Sequence, residues 1–291
     1  MTDFFTLPQM LLFDLTHSET LVVCLLFVWT GFVRTGLGFG GAALGLPLML
    51  FVRPDLLLWL PVIGTHLLFF SGLTLSRRLH HVDWAYLRHA LWFIIPPALI
   101  GVFGLVNFPA LWLNLFIYAI TLFYGIIWVL NRAIKSQQKW VDKLLLIVGG
   151  YVAGLSLTGA PLMVAVFMRN VNRERLRNTL FVLWFTIVTI KMTTFIALSV
   201  NLHFIEALSL IPVAAIGHFI GLKAHNKIIQ NDQLFKQWVG AGLVVVSVLG
   251  LFKLYQSTCL NAEANAQICG LSAILERWVS VFLSELVNYG L

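Results

Sequence analysis

Charge is what this sequence has least of. Asp, Glu, Lys and Arg together make up 11% of its 291 residues, where a soluble domain carries about 25%. With 59% hydrophobic residues and a mean hydropathy of +0.90, too little charge is present to solvate the surface of a water-soluble domain. Cysteine is also scarce. Cys24, Cys259 and Cys269 are the whole set and form no CxxC, which excludes a thiolate metal site. Only Cys24 falls in an apolar run, which counts against a membrane thiol carrier, since that needs a redox pair there. Acidic residues are missing from the interiors of the apolar segments; Asp55 and Glu206 stand only at segment ends. That removes the His/Asp/Glu cluster of an intramembrane hydrolase or transferase. No enzyme, metal or cofactor is expected. The start, "MTDFFTLPQMLLFD", lacks a basic n-region, so no typical cleaved signal peptide is expected.

What the chain does have is apolar runs, recurring at roughly 20–33, 42–52, 55–76, 89–106, 109–131, 144–157, 159–168, 177–200, 204–222 and 237–255. Runs of about 20 apolar residues are what a bilayer-spanning helix needs. One integral, all-α membrane domain follows. The net charge of +7 is read as basic cytoplasmic loops and not as a nucleic-acid surface. Two of the runs are interrupted. "VRTGLGFGGAALGLPLML" (33–50) packs Gly36, Gly38, Gly40 and Gly41 beside Arg34, and "GLSLTGAP" (154–161) breaks a second run.

The chain also repeats itself. "IPPALIGVFGL" (95–105) resembles "IPVAAIGHFIGL" (211–222), with Gly101 and Gly217 in register, and "GFGGA" (38–42) resembles "LTGAP" (157–161). Internal repeats of this kind mark secondary transporters. The expected division is an interfacial segment 1–19, a first repeat 20–131, a second repeat 144–255 and a tail 256–291.

Basic residues select the topology. If each broken run is a re-entrant hairpin, the loops 77–88, 132–143, 169–177 and 223–236 share one side. Fourteen of the nineteen Lys and Arg then lie inside and three outside, with Arg34 and Lys191 left in the membrane. If each broken run crosses instead, the bias collapses. The expected architecture is therefore two inverted repeats, each a re-entrant helical hairpin plus three transmembrane helices, with both termini outside. Non-helical backbone at membrane depth needs protein or a cavity around it. The hairpin tips 34–42 and 156–161 are expected to meet near the midplane, where helix N-termini bind anions.

The candidate ligands follow from depth. Arg34 sits at the first break. Lys191, in "FTIVTIKMTTF", is mid-membrane, where an ionisable residue reads as functional. His66 and His218 lie mid-helix. Gly38, Gly40, Gly41 and Gly159 allow close backbone approach, and Ser156 and Thr158 add hydroxyls, as do Thr65 and Thr189. The intramembrane charge is purely positive, which suits an anionic substrate. The tail "GLSAILERWVSVFLSELVNYGL" (270–291) reads as an amphipathic helix at the interface. In this topology Cys259 and Cys269 are both outside and are expected to form a disulfide.

The paired glycine breaks "GLGFGGAALGLP" (36–47) and "GLSLTGAP" (154–161), with the "IP..AxIG" repeat, resemble the TauE/SafE sulfite-exporter family over about 20–255. The second motif departs from the family pattern at Leu157 and Ala160, where glycine is common. The resemblance implies export of sulfite, organosulfonates or related small anions across a bacterial inner membrane. Expected partners are that small anion and lipid, with no nucleic acid, in a monomer or homodimer. Alternating access between the repeats is the expected mechanism; an anion channel and a membrane redox enzyme are the competing readings.

Overall fold

The computed structural model describes residues 13, 15–37, 41–75, 79–132, 138–230 and 232–260. Among them are ten α-helices, one short 3-10 helix (Leu79–His81) and no strand: α1 (His17–Leu37), α2 (Gly41–Val52), α3 (Leu56–Leu75), α4 (Trp84–Asn107), α5 (Ala110–Val129), α6 (Lys139–Ser156), α7 (Ala160–Asn170), α8 (Arg173–Ala197), α9 (Phe204–Gln230) and α10 (Asp232–Leu260). Seven of the described helices (α1, α3, α4, α5, α8, α9 and α10) are long and apolar enough to cross a membrane. The protein is a multi-pass, all-helical membrane protein. Gly38, Gly40, the side chain of Cys259, Cys269 and the 270–291 helix lie outside the described residues.

Several boundaries differ from the expected runs: α4 begins at Trp84, α8 at Arg173 and α10 at Asp232, and α9 continues to Gln230; the starts of α1 and α6 have a visible cause. α1 was expected as a short arm from residue 20. It begins at His17 and has 21 residues, enough by length to cross. Its start is a reciprocal cap: the Glu19 N–H donates to Thr16 Oγ1 at 3.4 Å, while the Thr16 N–H and hydroxyl donate to Glu19 Oε2 at 2.9 and 2.8 Å. Such a box satisfies orphan N–H groups and lets polar residues open a helix. α6 begins at Lys139 instead of 144, because Asp142 in its first turn is paired across to Arg169 at 3.0 Å.

Both broken runs are helical hairpins. The Asp142–Arg169 pair ties the start of α6 to the end of α7. In the first hairpin, the Phe13 ring packs on Trp59 at 5.5 Å, and Trp59 Nε1 donates to Arg53 O at 2.8 Å, so the start of α1 and the end of α2 share one end of the molecule. That end also holds the starts of α5 and α9 and the end of α10. Asn114 Nδ2 donates to Pro54 O at 3.0 Å, Phe13 meets the His203 ring at 5.5 Å, and Lys253 Nζ donates to Phe51 O at 3.1 Å. The α6–α7 hairpin opens at the other end, with the starts of α4 and α8, where the Asp83 N–H donates to Thr179 Oγ1 at 3.0 Å and Tyr86 packs on Phe167.

The halves are interlocked. α9 lies along α1, α4 lies along α6, α5 packs on α10, and α3 on α8. The fourth helix of each half thus embraces the hairpin of the other. Lipid offers no hydrophobic drive between helices, so close backbone approach through small residues supplies the packing. A Cβ on Gly217 would lie 1.8 Å from Val28 O of α1, and one on Gly101 would lie 2.3 Å from Tyr151 O of α6. The repeated "IP..AxIG" glycines are therefore contact points of α9 with α1 and of α4 with α6. Outward faces are apolar, with Trp92 80% and Phe219 63% exposed, as a lipid-facing surface requires.

Candidate anion site

Arg34 lies in the last turn of α1, where a cation favours the negative end of the helix dipole. It is 7% exposed. Its Nη1 donates to His66 O at 3.3 Å, and its Cζ stands 4.1 Å from the centroid of the Phe70 ring. Nη2 is buried with no hydrogen-bond partner among the described residues. An unpaired buried donor on a cation costs several times an ordinary hydrogen bond, so this atom marks the place where an acceptor belongs.

The two histidines gather around the same ring. His66 Nε2 is 2.6 Å from Ala207 O; a carbonyl only accepts, so Nε2 carries the proton. Its Nδ1 is buried and has no partner among the described residues. The His218 ring is 5.0 Å from that of Phe70, and its Nδ1 is 2.6 Å from Thr35 Oγ1. Arg34, His66 and His218, far apart in sequence, are thus joined through Phe70, which the sequence reading did not single out.

Lys191 is placed differently. It is 1% exposed, and its Nζ donates to Gly154 O at 2.6 Å and Leu155 O at 3.2 Å. Those carbonyls belong to the last turn of α6, where the helix leaves its acceptors unmatched. The ammonium therefore caps the break in the second hairpin. Ser156 Oγ donates to Val152 O at 3.0 Å and lies 2.6 Å from Thr158 Oγ1, so Thr158 donates to Ser156 within the same break. Leu157 ends α6 at φ 60°, a left-handed conformation that costs a side-chain-bearing residue about 1–2 kcal/mol. Gly159 is held by packing, since a Cβ there would lie 2.0 Å from Gly149 O; one on Gly41 would lie 3.0 Å from the Arg34 Cβ. Thr65 donates to Pro61 O within its own helix, and Thr189, with its hydroxyl on Phe185 O, is on an exposed face.

A cavity of about 30 Å³ lies between the hairpins, lined by Arg34, Gly41 and Ala42 from the first and by Leu157 and Ala160 from the second, with Ser71 and Trp184 from α3 and α8. A smaller one of about 10 Å³, lined by Arg34, Gly41 and His66 among others, adjoins it. Gly41 and Ala160 are the first residues of α2 and α7, whose first-turn N–H groups have no partner within the helix. Both helix N-termini therefore border one cavity beside one guanidinium. Among the described residues, no carboxylate lines either cavity, and no cluster of three or more His, Cys, Asp or Glu is able to bind a metal. Trp184 was not anticipated by the sequence reading: one of ten tryptophans, it has no motif that marks it.

A family model described as sulfite exporter TauE/SafE matches residues 23–250. The chain belongs to the TauE/SafE sulfite exporter family. The α6–α7 hairpin, the first hairpin from Val23 onward, the glycine contacts and every residue lining the two cavities fall within the matched span of this TauE/SafE member. No curated protein and no solved structure matches the chain.

Proposed function

We propose that this TauE/SafE transporter exports a small, sulfur-containing oxyanion such as sulfite or an organosulfonate, bound between the two hairpin tips. The observation that carries the reading is the convergence of the α2 and α7 N-termini on a cavity bordered by Arg34, whose Nη2 lacks a partner among the described residues. Helix N-termini and guanidinium are anion ligands, and among the described residues no carboxylate lines the cavity to attract a cation. Arg34 binds the oxyanion, with the tip residues Gly38, Gly40 and Gly41 and the Gly159–Ala160 turn supplying N–H groups. Lys191, Ser156 and Thr158 hold the second tip in place. His66 and His218 orient Arg34 and Phe70. The role is transport, with no reaction catalysed.

The mechanism proposed is alternating access between inverted repeats. Support comes from the hairpins opening at opposite ends and from the equivalent pairings α1 with α9 and α6 with α4. The end carrying the 77–88, 132–143, 169–177 and 223–236 loops is cytoplasmic by its basic residues, in a bacterial inner membrane. Both termini are then outside. An anion leaving a negative interior gains about 2.3 kcal/mol per charge per 100 mV, so export proceeds without a coupled ion. Cysteine placed at Gln138 and at Asn201, one per end, tests the topology: labelling of both from one side of the membrane overturns it. Purified protein in liposomes is expected to carry sulfite with saturating, slow flux; a linear, rapid current identifies a channel instead, and no flux of any anion overturns the assignment.

A further inference from the structure

We propose that Trp184 is a second substrate ligand, which with Arg34 makes the site selective for oxyanions that carry no proton of their own. The inference rests on the anion-binding reading above. Trp184 lies in α8, is 9% exposed and lines the cavity between the hairpins. Its Nε1 is buried with no hydrogen-bond partner among the described residues, as is Nη2 of Arg34, which lines the same cavity. The indole N–H is a donor only, and so is the guanidinium. The N-termini of α2 and α7 add N–H donors.

The balance of donors and acceptors then sets specificity. Among the described residues lining this cavity, Ser71 is the one whose side chain can accept a hydrogen bond. A sulfonate or sulfite dianion offers acceptors to every wall. A phosphonate monoanion, which matches the sulfonate in size and charge, brings an O–H, and that hydrogen has to displace a donor contact or be left unpaired. A site whose buried polar groups are mispaired rejects an isostere far more strongly than size alone allows. Arg34 comes from the first half and Trp184 from the second, so the complete donor set exists only when the halves are closed on each other.

Methanesulfonate and methylphosphonate test this directly, because they share a shape and, below the second ionisation of the phosphonate, a charge. Binding is measured by calorimetry on the full chain in nanodiscs, below and above that ionisation, alongside sulfite flux in liposomes. The expected result is a preference for methanesulfonate of about ten-fold or more at the lower pH, which shrinks as the phosphonate loses its proton while methanesulfonate affinity stays level. Trp184→Phe, which keeps the ring and removes the N–H, is expected to weaken methanesulfonate about ten-fold. Equal affinity for the two ligands at the lower pH, or full methanesulfonate affinity in Trp184→Phe, overturns the inference. A wild-type protein that carries sulfite yet binds neither probe overturns it too and leaves the transport reading standing; one that moves no anion overturns that reading and this with it.

Discussion

The two halves of the molecule solve the same problem with opposite placements of charge. In the first, the cation is Arg34 on the hairpin arm α1, and it reaches a carbonyl of α3, His66 O. In the second, the cation is Lys191 on α8, and it reaches carbonyls of the hairpin arm α6, Gly154 O and Leu155 O. The same pair of equivalent helices is bridged, from opposite members. The consequence is functional. Arg34, on a hairpin, borders the cavity and keeps one donor without a partner among the described residues. Lys191, on the scaffold, is not among the residues lining the two cavities and is committed to helix-end acceptors. In the proposed reading, one half supplies the ligand charge, while the Lys191 contacts hold the break of the other.

The largest effects should come from the contacts that the halves share. Gly217→Val and Gly154→Val each force a branched side chain against backbone, at Val28 O and Ala98 O, 1.8 and 2.0 Å from the Cβ alone. Backbone cannot move aside as a flexible side chain can, so neither variant should yield monodisperse protein by size exclusion after extraction. One variant behaving as wild type would break the equivalence of α1–α9 with α6–α4.

Next in size are the two cations. Arg34→Gln should keep the fold and lower anion flux by about 100-fold, the scale of removing one partner from a buried charged contact. Lys191→Met should instead lower stability by about 1–3 kcal/mol, because Gly154 O and Leu155 O lose their donor in a dry interior. Its flux should fall along with the unfolding midpoint. Lys191→Arg should fail to restore either, since the guanidinium is larger and planar. Wild-type thermal stability in Lys191→Met, with flux abolished, would make the lysine a ligand like Arg34 and erase the contrast.

The smallest effect is expected at the open end of the second hairpin. Arg169→Gln removes an ion pair whose arginine is 34% exposed, while Asn170 Nδ2 still reaches Asp142 Oδ2 at 3.3 Å. A partly exposed pair is worth at most about 1 kcal/mol, and thermal unfolding should show a shift no larger than that. A larger loss would mean that hairpin closure depends on this clip more than on the α4–α6 packing.

Much of the architecture was legible in the residues. The apolar runs, the two breaks and the register of Gly101 with Gly217 all came from spacing along the chain, and the helices stand where the runs are. Their ends were read less well, for two different reasons. The start of α1 carries a capping box, Thr16-x-x-Glu19, a sequence signal that a search for apolar runs alone passes over. The start of α6 depends on Asp142 being neutralised by Arg169, 27 residues away, which no local pattern announces. At the site, Arg34, His66 and His218 were visible because polar groups stand out in apolar segments, whereas Phe70 and Trp184 look like any other membrane aromatic.

By itself the sequence determined the class of the protein, its helices and breaks, and the sign of its buried charge. Hydropathy, helix periodicity and the cost of charge in lipid act locally, so they can be read from neighbours in the chain. Which buried cation faces the cavity and which caps a helix was decided only by the tertiary structure. That choice depends on how α1 meets α3 and α8 meets α6, and on two helix N-termini, about 120 residues apart in sequence, arriving at one point. Helix crossings are set by the small residues of partners distant in sequence, and so is the environment of every polar atom between them.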